Sequence, residues 1–221
     1  MKTLSNFLIA FFAFSLILSC KNKPEGEAAE TSEAITETAK PAADATMYEV
    51  TSGNVYWAAT KVGGAHNGAF QVSKGKLAAE NGVVTSGVFM IDLNSMTEMT
   101  MSGDMHTKFL ADMKSARFFD TEKHPVGQFS IVSIEPLSGN AEANFTVKGN
   151  LMLKGITKSI SFPANIAVLG DKISVVSPKF TINRTDWDMK YNSAIIGTAA
   201  DKIIHDDVSI NIQLEAGMKQ N

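Results

Sequence analysis

The stretch NFTVKGNLMLKGITKSISFPANIAV, residues 144–168, alternates on both sides of one short reversal. In its first half Phe145, Val147, Leu151 and Leu153 share a side, opposite Asn144, Thr146, Lys148, Asn150 and Lys154. In its second half Ile160, Phe162, Ala164, Ile166 and Val168 fall together. Successive side chains of a strand point to opposite faces, so this period of two predicts strands with one dry face and one wet face. The glycine in LKGIT supplies the backbone freedom of a tight turn, and the two halves read as an antiparallel hairpin.

The same pattern runs outward in both directions. In VSINIQLEA, Val208, Ile210, Ile212, Leu214 and Ala216 take one face; in VVTSGVFMIDL, Thr85, Gly87, Phe89, Ile91 and Leu93 do so. Turn signals GGAHNG, ENG, LSGN and LGDK stand between such runs. Strands are predicted near 54–62, 68–79, 83–93, 126–136, 142–154, 157–168, 172–184 and 203–216. Between the third and fourth, GDMHTKFLADMKSARFF places Phe109, Met113 and Ala116 at helical spacing, with Asp104 or Thr107 as the cap of a short helix. Eight half-dry antiparallel strands either stack as a sandwich or close as a barrel, and sequential hairpins favour an all-β, eight-stranded antiparallel up-and-down barrel. Alternation does not distinguish a filled interior from a hollow one.

The N-terminal region has another character. Lys2 precedes an uncharged apolar run, Phe7 to Leu18, and Ser19 stands before Cys20, the one cysteine of the chain. The run suits a signal peptide over residues 1–19. Its end, ILSC, resembles a bacterial lipobox, which implies lipidation of Cys20, export to the cell envelope and attachment to a membrane. Lys21 lacks the acidic character that retains such proteins at the inner membrane, so the outer membrane is expected, with the domain facing the periplasm or the cell surface. Residues 20–46 are rich in Glu, Ala, Thr and Pro and carry no aromatic residue, which predicts a disordered acidic tether. Residues 47–221 then form one domain.

That domain has 16 basic and 17 acidic residues and no basic run, which argues against nucleic acid as a partner. His66, His106, His124 and His205 occur in no metal-ligand spacing, and no nucleophile elbow or phosphate loop is present. The sequence therefore offers no catalytic residue, metal site or cofactor motif.

Six stretches together resemble the YceI-like family of lipid- or polyisoprenoid-binding proteins, which adopt a lipocalin-like barrel. They are VYWAATKVGGAHNGAF, SGVFMIDLNSM, MKSARFFDTEKHPVGQFS, VKGNLMLKGITKSISFP, FTINRTDWDMKY and IIHDDVSINIQLEA, in the family's order. Two positions depart: Asp112-Met113-Lys114 stands where many members read HLK, and His124 replaces a tyrosine before proline. The resemblance implies non-catalytic binding, sequestration or transport of a polyisoprenoid or isoprenoid quinone inside the barrel. The alternative is a filled barrel acting as an envelope interaction module. The expected apolar lining is Phe89, Ile91, Phe145, Val147, Ile160, Phe162, Ile166, Ile210 and Ile212, with Gly87, Ala164 and Ala216 leaving space. Trp57, His66, Phe118 and Phe119 are expected at the mouth or rim, with His66 in a hairpin reversal made of GGAHNG. Trp187 is expected half-buried at a rim, and Arg184 is expected to pair with Asp186.

Overall fold

A computed structural model describes residues 23–219. The signal peptide and the lipidated Cys20 expected from the sequence lie outside the described residues. The elements are β1 (Glu27–Ala28), β2 (Glu30–Glu33), β3 (Thr46–Lys61), β4 (Gly64–Glu80), β5 (Val83–Asp92), α1 (Gly103–Lys114), β6 (Val126–Pro136), β7 (Phe145–Leu153), β8 (Ile156–Leu169), β9 (Lys172–Val176), β10 (Phe180–Asn183) and β11 (Ile204–Met218). Neighbours from β3 to β9 pair antiparallel in sequence order, β9 pairs with β11, and β11 returns to β3. The ring of eight strands is closed. A sandwich is excluded because the last strand pairs with the first along most of its length. Register shifts in the β4–β5, β6–β7 and β3–β11 ladders supply the local bending that closure requires.

Three boundaries differ from the sequence reading. Strand β3 begins at Thr46 instead of near 54, because Tyr48 turns inward and its hydroxyl donates to Gly170 O at 2.9 Å. Helix α1 follows Ser102 and makes no side-chain cap, while the Thr107 hydroxyl turns back to Gly103 O. The seventh predicted strand, near 172–184, is broken. Pro178 has no N–H to donate, so the ladder stops at Val176 and resumes at Phe180 as β10. Below the break β9 joins β8 to β11; above it β10 pairs with β11 but not with β8, and a seam opens between them.

The segment read as a disordered tether fills that seam. Strand β1 runs parallel to Phe180 and Thr181 of β10, and β2 runs antiparallel to residues 158–161 of β8. The strap continues outside the barrel, where Asn150 both donates to Ile35 O at 2.7 Å and accepts from Ile35 N–H at 3.0 Å. Ala39 N–H then donates to Ile131 O. Composition hides this docking because it depends on backbone groups: the unpaired edges of β8 and β10 provide donors and acceptors that small or acidic residues satisfy as well as bulky ones. Outward-facing Ser159, Thr181 and Ser209 are buried beneath the strap, and their small side chains leave room for it. Glu33 pairs with Lys158 at 2.6 Å, and Glu25 pairs with Lys179. Gly26 has φ +116°, and a Cβ there would stand 2.6 Å from Lys179 C, so only glycine permits this approach.

Candidate ligand-binding cavity

The β3–β4 hairpin carries much of one wall. Its reversal is only Val62 and Gly63, since Lys61 pairs with Gly64. His66 is therefore a strand residue opposite Ala59, not part of a six-residue loop as the glycines suggested. Trp57, two residues before Ala59, faces the same side and is buried, not at a rim, because helix α1 lies over it: its ring stacks on Phe109 with centroids 6.2 Å apart. Opposite Trp57 stands Gly68. A Cβ there would meet Thr97 O at 1.9 Å and Trp57 Cζ2 at 2.9 Å, so this glycine admits both the indole and the loop that follows β5.

That loop extends the wall beyond β5. Thr97 N–H donates to Ala69 O, and Met99 N–H donates to Asn67 O. It also carries Glu98, whose carboxylate is inaccessible to solvent. Oε1 accepts from the Thr100 amide at 2.8 Å and from the Thr100 hydroxyl, and Oε2 accepts from Met101 N–H at 2.8 Å. Burial pushes this carboxyl up, but the bonds from Thr100, Met101 and His66 outweigh it and hold Glu98 below its ordinary value. His66 Nδ1 lies 2.9 Å from Thr100 Oγ1 and 3.4 Å from Glu98 Oε1.

The opposite side of this end is built by residues 184–203. Arg184 is buried and donates to His205 O and Ile204 O at 3.2 and 3.1 Å, to Met189 O, and to Asp206 at 2.9 Å. Asp206, not Asp186, is thus its partner. Ser193 donates to the other Asp206 oxygen at 2.7 Å. Trp187 is fully buried instead of half-exposed, with its indole N–H on Leu151 O at 3.1 Å. Phe118 meets Tyr191 edge-on at 5.6 Å, and Phe119 meets Phe70 at 5.2 Å. Arg117 lies 4.9 Å over the Tyr191 ring.

These parts enclose an apolar cavity of about 280 Å³. A second one, of about 60 Å³, continues along the barrel, and Val55, Ile91, Phe129, Phe162 and Ile212 form the waist common to both. Ile160 and Ile210 line the wide chamber alone; Phe89, Val147 and Ile166 line the narrow one alone. Phe145 lines neither, because it occupies the last pair of the β6–β7 ladder, opposite Pro136 and beyond the narrow chamber. Trp57, His66, Phe118 and Phe119 all line the wide chamber. Solvent-accessible Lys61, Asp112 and Tyr191 belong to its wall, which places the mouth between α1, the β3–β4 tip and residues 184–204.

Two features escaped the sequence. The space does not come from small strand residues: Ala164 and Ala216 line neither chamber, and a Cβ on Gly87 would meet Leu77 at 2.6 Å. The wide chamber is bounded by larger strand residues together with the helix and loops, which contribute Phe109, Met113, Met96, Met101 and Met189, residues with no strand periodicity to mark them. Phe70, Phe129 and Phe180 are absent from the expected lining although their strand alternation would have marked them. Among the described residues no group of three His, Cys, Asp or Glu gathers that would hold a metal ion.

Comparison with known proteins agrees with this geometry. Burkholderia cenocepacia BcnA is 20% identical, with a TM-score of 0.58, over 74% of this chain and 95% of its own. A polyisoprenoid binding domain from Saccharophagus degradans, implicated in plant cell wall breakdown, is 14% identical, with a TM-score of 0.54, over 78% and 98%. At these identities the likeness shows the fold alone. No curated protein matches. The YceI-like domain matches residues 43–216, most of the described barrel, and the chain belongs to the YceI-like family.

Proposed function

We propose that this protein binds an isoprenoid-type lipid, a polyisoprenoid or isoprenoid quinone, in its barrel as a non-catalytic carrier or store. The observation that carries the reading is the dry chamber of about 280 Å³ with its narrower continuation. Its size approaches the lower end of small-ligand pockets, roughly 300–1,000 Å³. Each methylene of a tail taken into such a space gains about 0.8 kcal/mol without directional bonds. The polyisoprenoid binding domain with the same fold supports this ligand class, and the cavity favours it over a filled interaction module. Native mass spectrometry and lipid extraction of protein purified from its own cells test the proposal. Co-purification of a prenyl lipid is expected; empty protein that also refuses prenylquinones would end it.

We further propose that the lipobox-like ILSC marks a lipoprotein held at the envelope, with the outer membrane as its site. A docked strap then leaves about five residues between Cys20 and the barrel, a reach of roughly 17 Å at ~3.4 Å per residue. The domain is held close to the bilayer. Cys20→Ser should move the protein from the membrane fraction to the soluble one and abolish acyl labelling; unchanged fractionation would remove the anchor.

A further inference from the structure

Exposed apolar side chains gather at one end of the barrel. Val62 at the β3–β4 tip, Met99 in the loop after β5, Met105 in the first turn of α1, and Ile195 and Ile196 are each at least half exposed. The elements that carry them surround the mouth of the wide chamber. Backbone bonds hold these elements together: Val62 N–H donates to Ile203 O at 3.1 Å, and Met99 N–H donates to Asn67 O at 2.9 Å. Ile195 and Ile196 sit in a short 3-10 turn, Ala194–Ile196. Its capping Ser193 hydroxyl accepts from Ile195 N–H at 3.2 Å and donates to Asp206 at 2.7 Å. The turn thus holds both isoleucines in solvent. An apolar rim kept in water around an apolar cavity marks a surface that meets another apolar phase.

The opposite end also exposes Val83, Leu169 and Met218, so exposure alone does not choose between the ends. Distance from the N-terminal segment does. The Glu25 carbonyl accepts from the Ser209 hydroxyl and its carboxylate pairs with Lys179, which fixes the start of the strap on the wall. Ser209 pairs with Ala58, three residues from Lys61 at the mouth end and ten from Tyr48 at the other, roughly 10 and 33 Å along the strand at ~3.3 Å per residue. From Cys20 to Glu25 the chain reaches roughly 17 Å when extended. A bilayer that holds Cys20 therefore meets the mouth end, and the other end lies out of its reach. Docking of an anchored domain is intramolecular, so a shallow apolar contact suffices to orient it.

We infer that this rim is a membrane-docking surface, seated on a lipid bilayer with the mouth toward the acyl chains, so that a lipid passes between bilayer and chamber without crossing water. The inference rests on the lipid-binding reading and on the proposed anchor. Its test contains no ligand, so its failure leaves the lipid-binding reading standing. The full chain is reconstituted in vesicles of phosphatidylethanolamine and phosphatidylglycerol, with and without a nitroxide on the acyl chains. An environment-sensitive fluorophore is attached to Ile195→Cys or to Leu169→Cys, and the parent chain labelled in parallel gives the background from Cys20. Emission at position 195 should shift to the blue and most of it should be lost to the nitroxide, while emission at position 169 should change little. Val62→Glu combined with Ile196→Glu, both at solvent-exposed sites, should restore the emission at position 195 and leave urea unfolding unchanged. Equal quenching at both positions, or none at either, overturns the docking surface, and so does quenching that survives the two glutamates. Protection of position 195 by self-association without vesicles assigns the rim to a second copy and also overturns it. A chain that does not float with the vesicles overturns docking and anchor together.

Discussion

The two chambers of this barrel have similar apolar walls and different construction. The narrow chamber lies where hydrogen-bonded ladders close the wall all the way round, with β9 bonded to both β8 and β11. The wide chamber lies where they do not. Ile160, Phe180 and Ile182 of its wall flank the seam closed by the strap, strands such as β3, β4 and β7 add Trp57, Phe70 and Leu151, and α1 and the loops complete it. Within a continuous ladder, neighbouring side chains interdigitate and fill the space; where the wall is assembled from a helix, loops and a borrowed strand, large residues meet at angles that leave a void. The larger space thus coincides with the end where the ring of ladders is interrupted between β8 and β10.

The largest expected effect falls on the irregular wall. Trp187→Ala removes a fully buried indole that ties residues 184–203 to β7, and should cost about 3–5 kcal/mol in urea unfolding. A loss under about 1 kcal/mol would show that the loop does not hold the wide chamber open. The same substitution placed in each chamber then separates them directly. Ile166→Trp in the narrow chamber should overpack it and cost about 1–3 kcal/mol, whereas Ile160→Trp should cost less than about 1 kcal/mol and block ligand uptake. Equal costs would erase the distinction.

Gly26→Ala sharpens the account of the seam. The added Cβ meets the Lys179 and Phe180 backbone at 2.6–2.7 Å, so β1 should detach and residues 25–39 should become open to limited proteolysis while the barrel stays folded. An unchanged digestion pattern would mean that the strap needs no such approach. The smallest effect concerns Glu98. Its folded pKa is held below the ordinary value of about 4.3, so its contribution is full above that value and is lost as pH falls below it. Glu98→Gln should be less stable than the parent at pH 7, and the two acid-unfolding curves should converge as the pH falls below that ordinary value. Parallel curves would exclude Glu98 as the source of this acid sensitivity.

Most of the barrel was legible along the chain. Phe162 and Ile166, or Ile210 and Ile212, share a face by period two, and that property is local. His66 shows where local reading stops: glycines on both sides suggest a loop, yet ladder pairing with Ala59 keeps it in the strand. Arg184 shows the same, since its partner Asp206 is distant in sequence and Asp186 is near. The strap was least legible, because the edges it satisfies exist only once Pro178 has broken a wall strand built far downstream.

The sequence by itself determined the eight strands of the ring, their dry and wet faces, the hairpin order and the single helix, because alternation and turn chemistry act between residues a few positions apart. Only the tertiary structure decided that the ring closes, that its N-terminal segment completes the wall, and that the indole N–H of Trp57 is left buried without a partner. Those outcomes depend on which backbone edges and polar groups remain unpaired after everything else has packed, and that remainder is a property of the assembled fold.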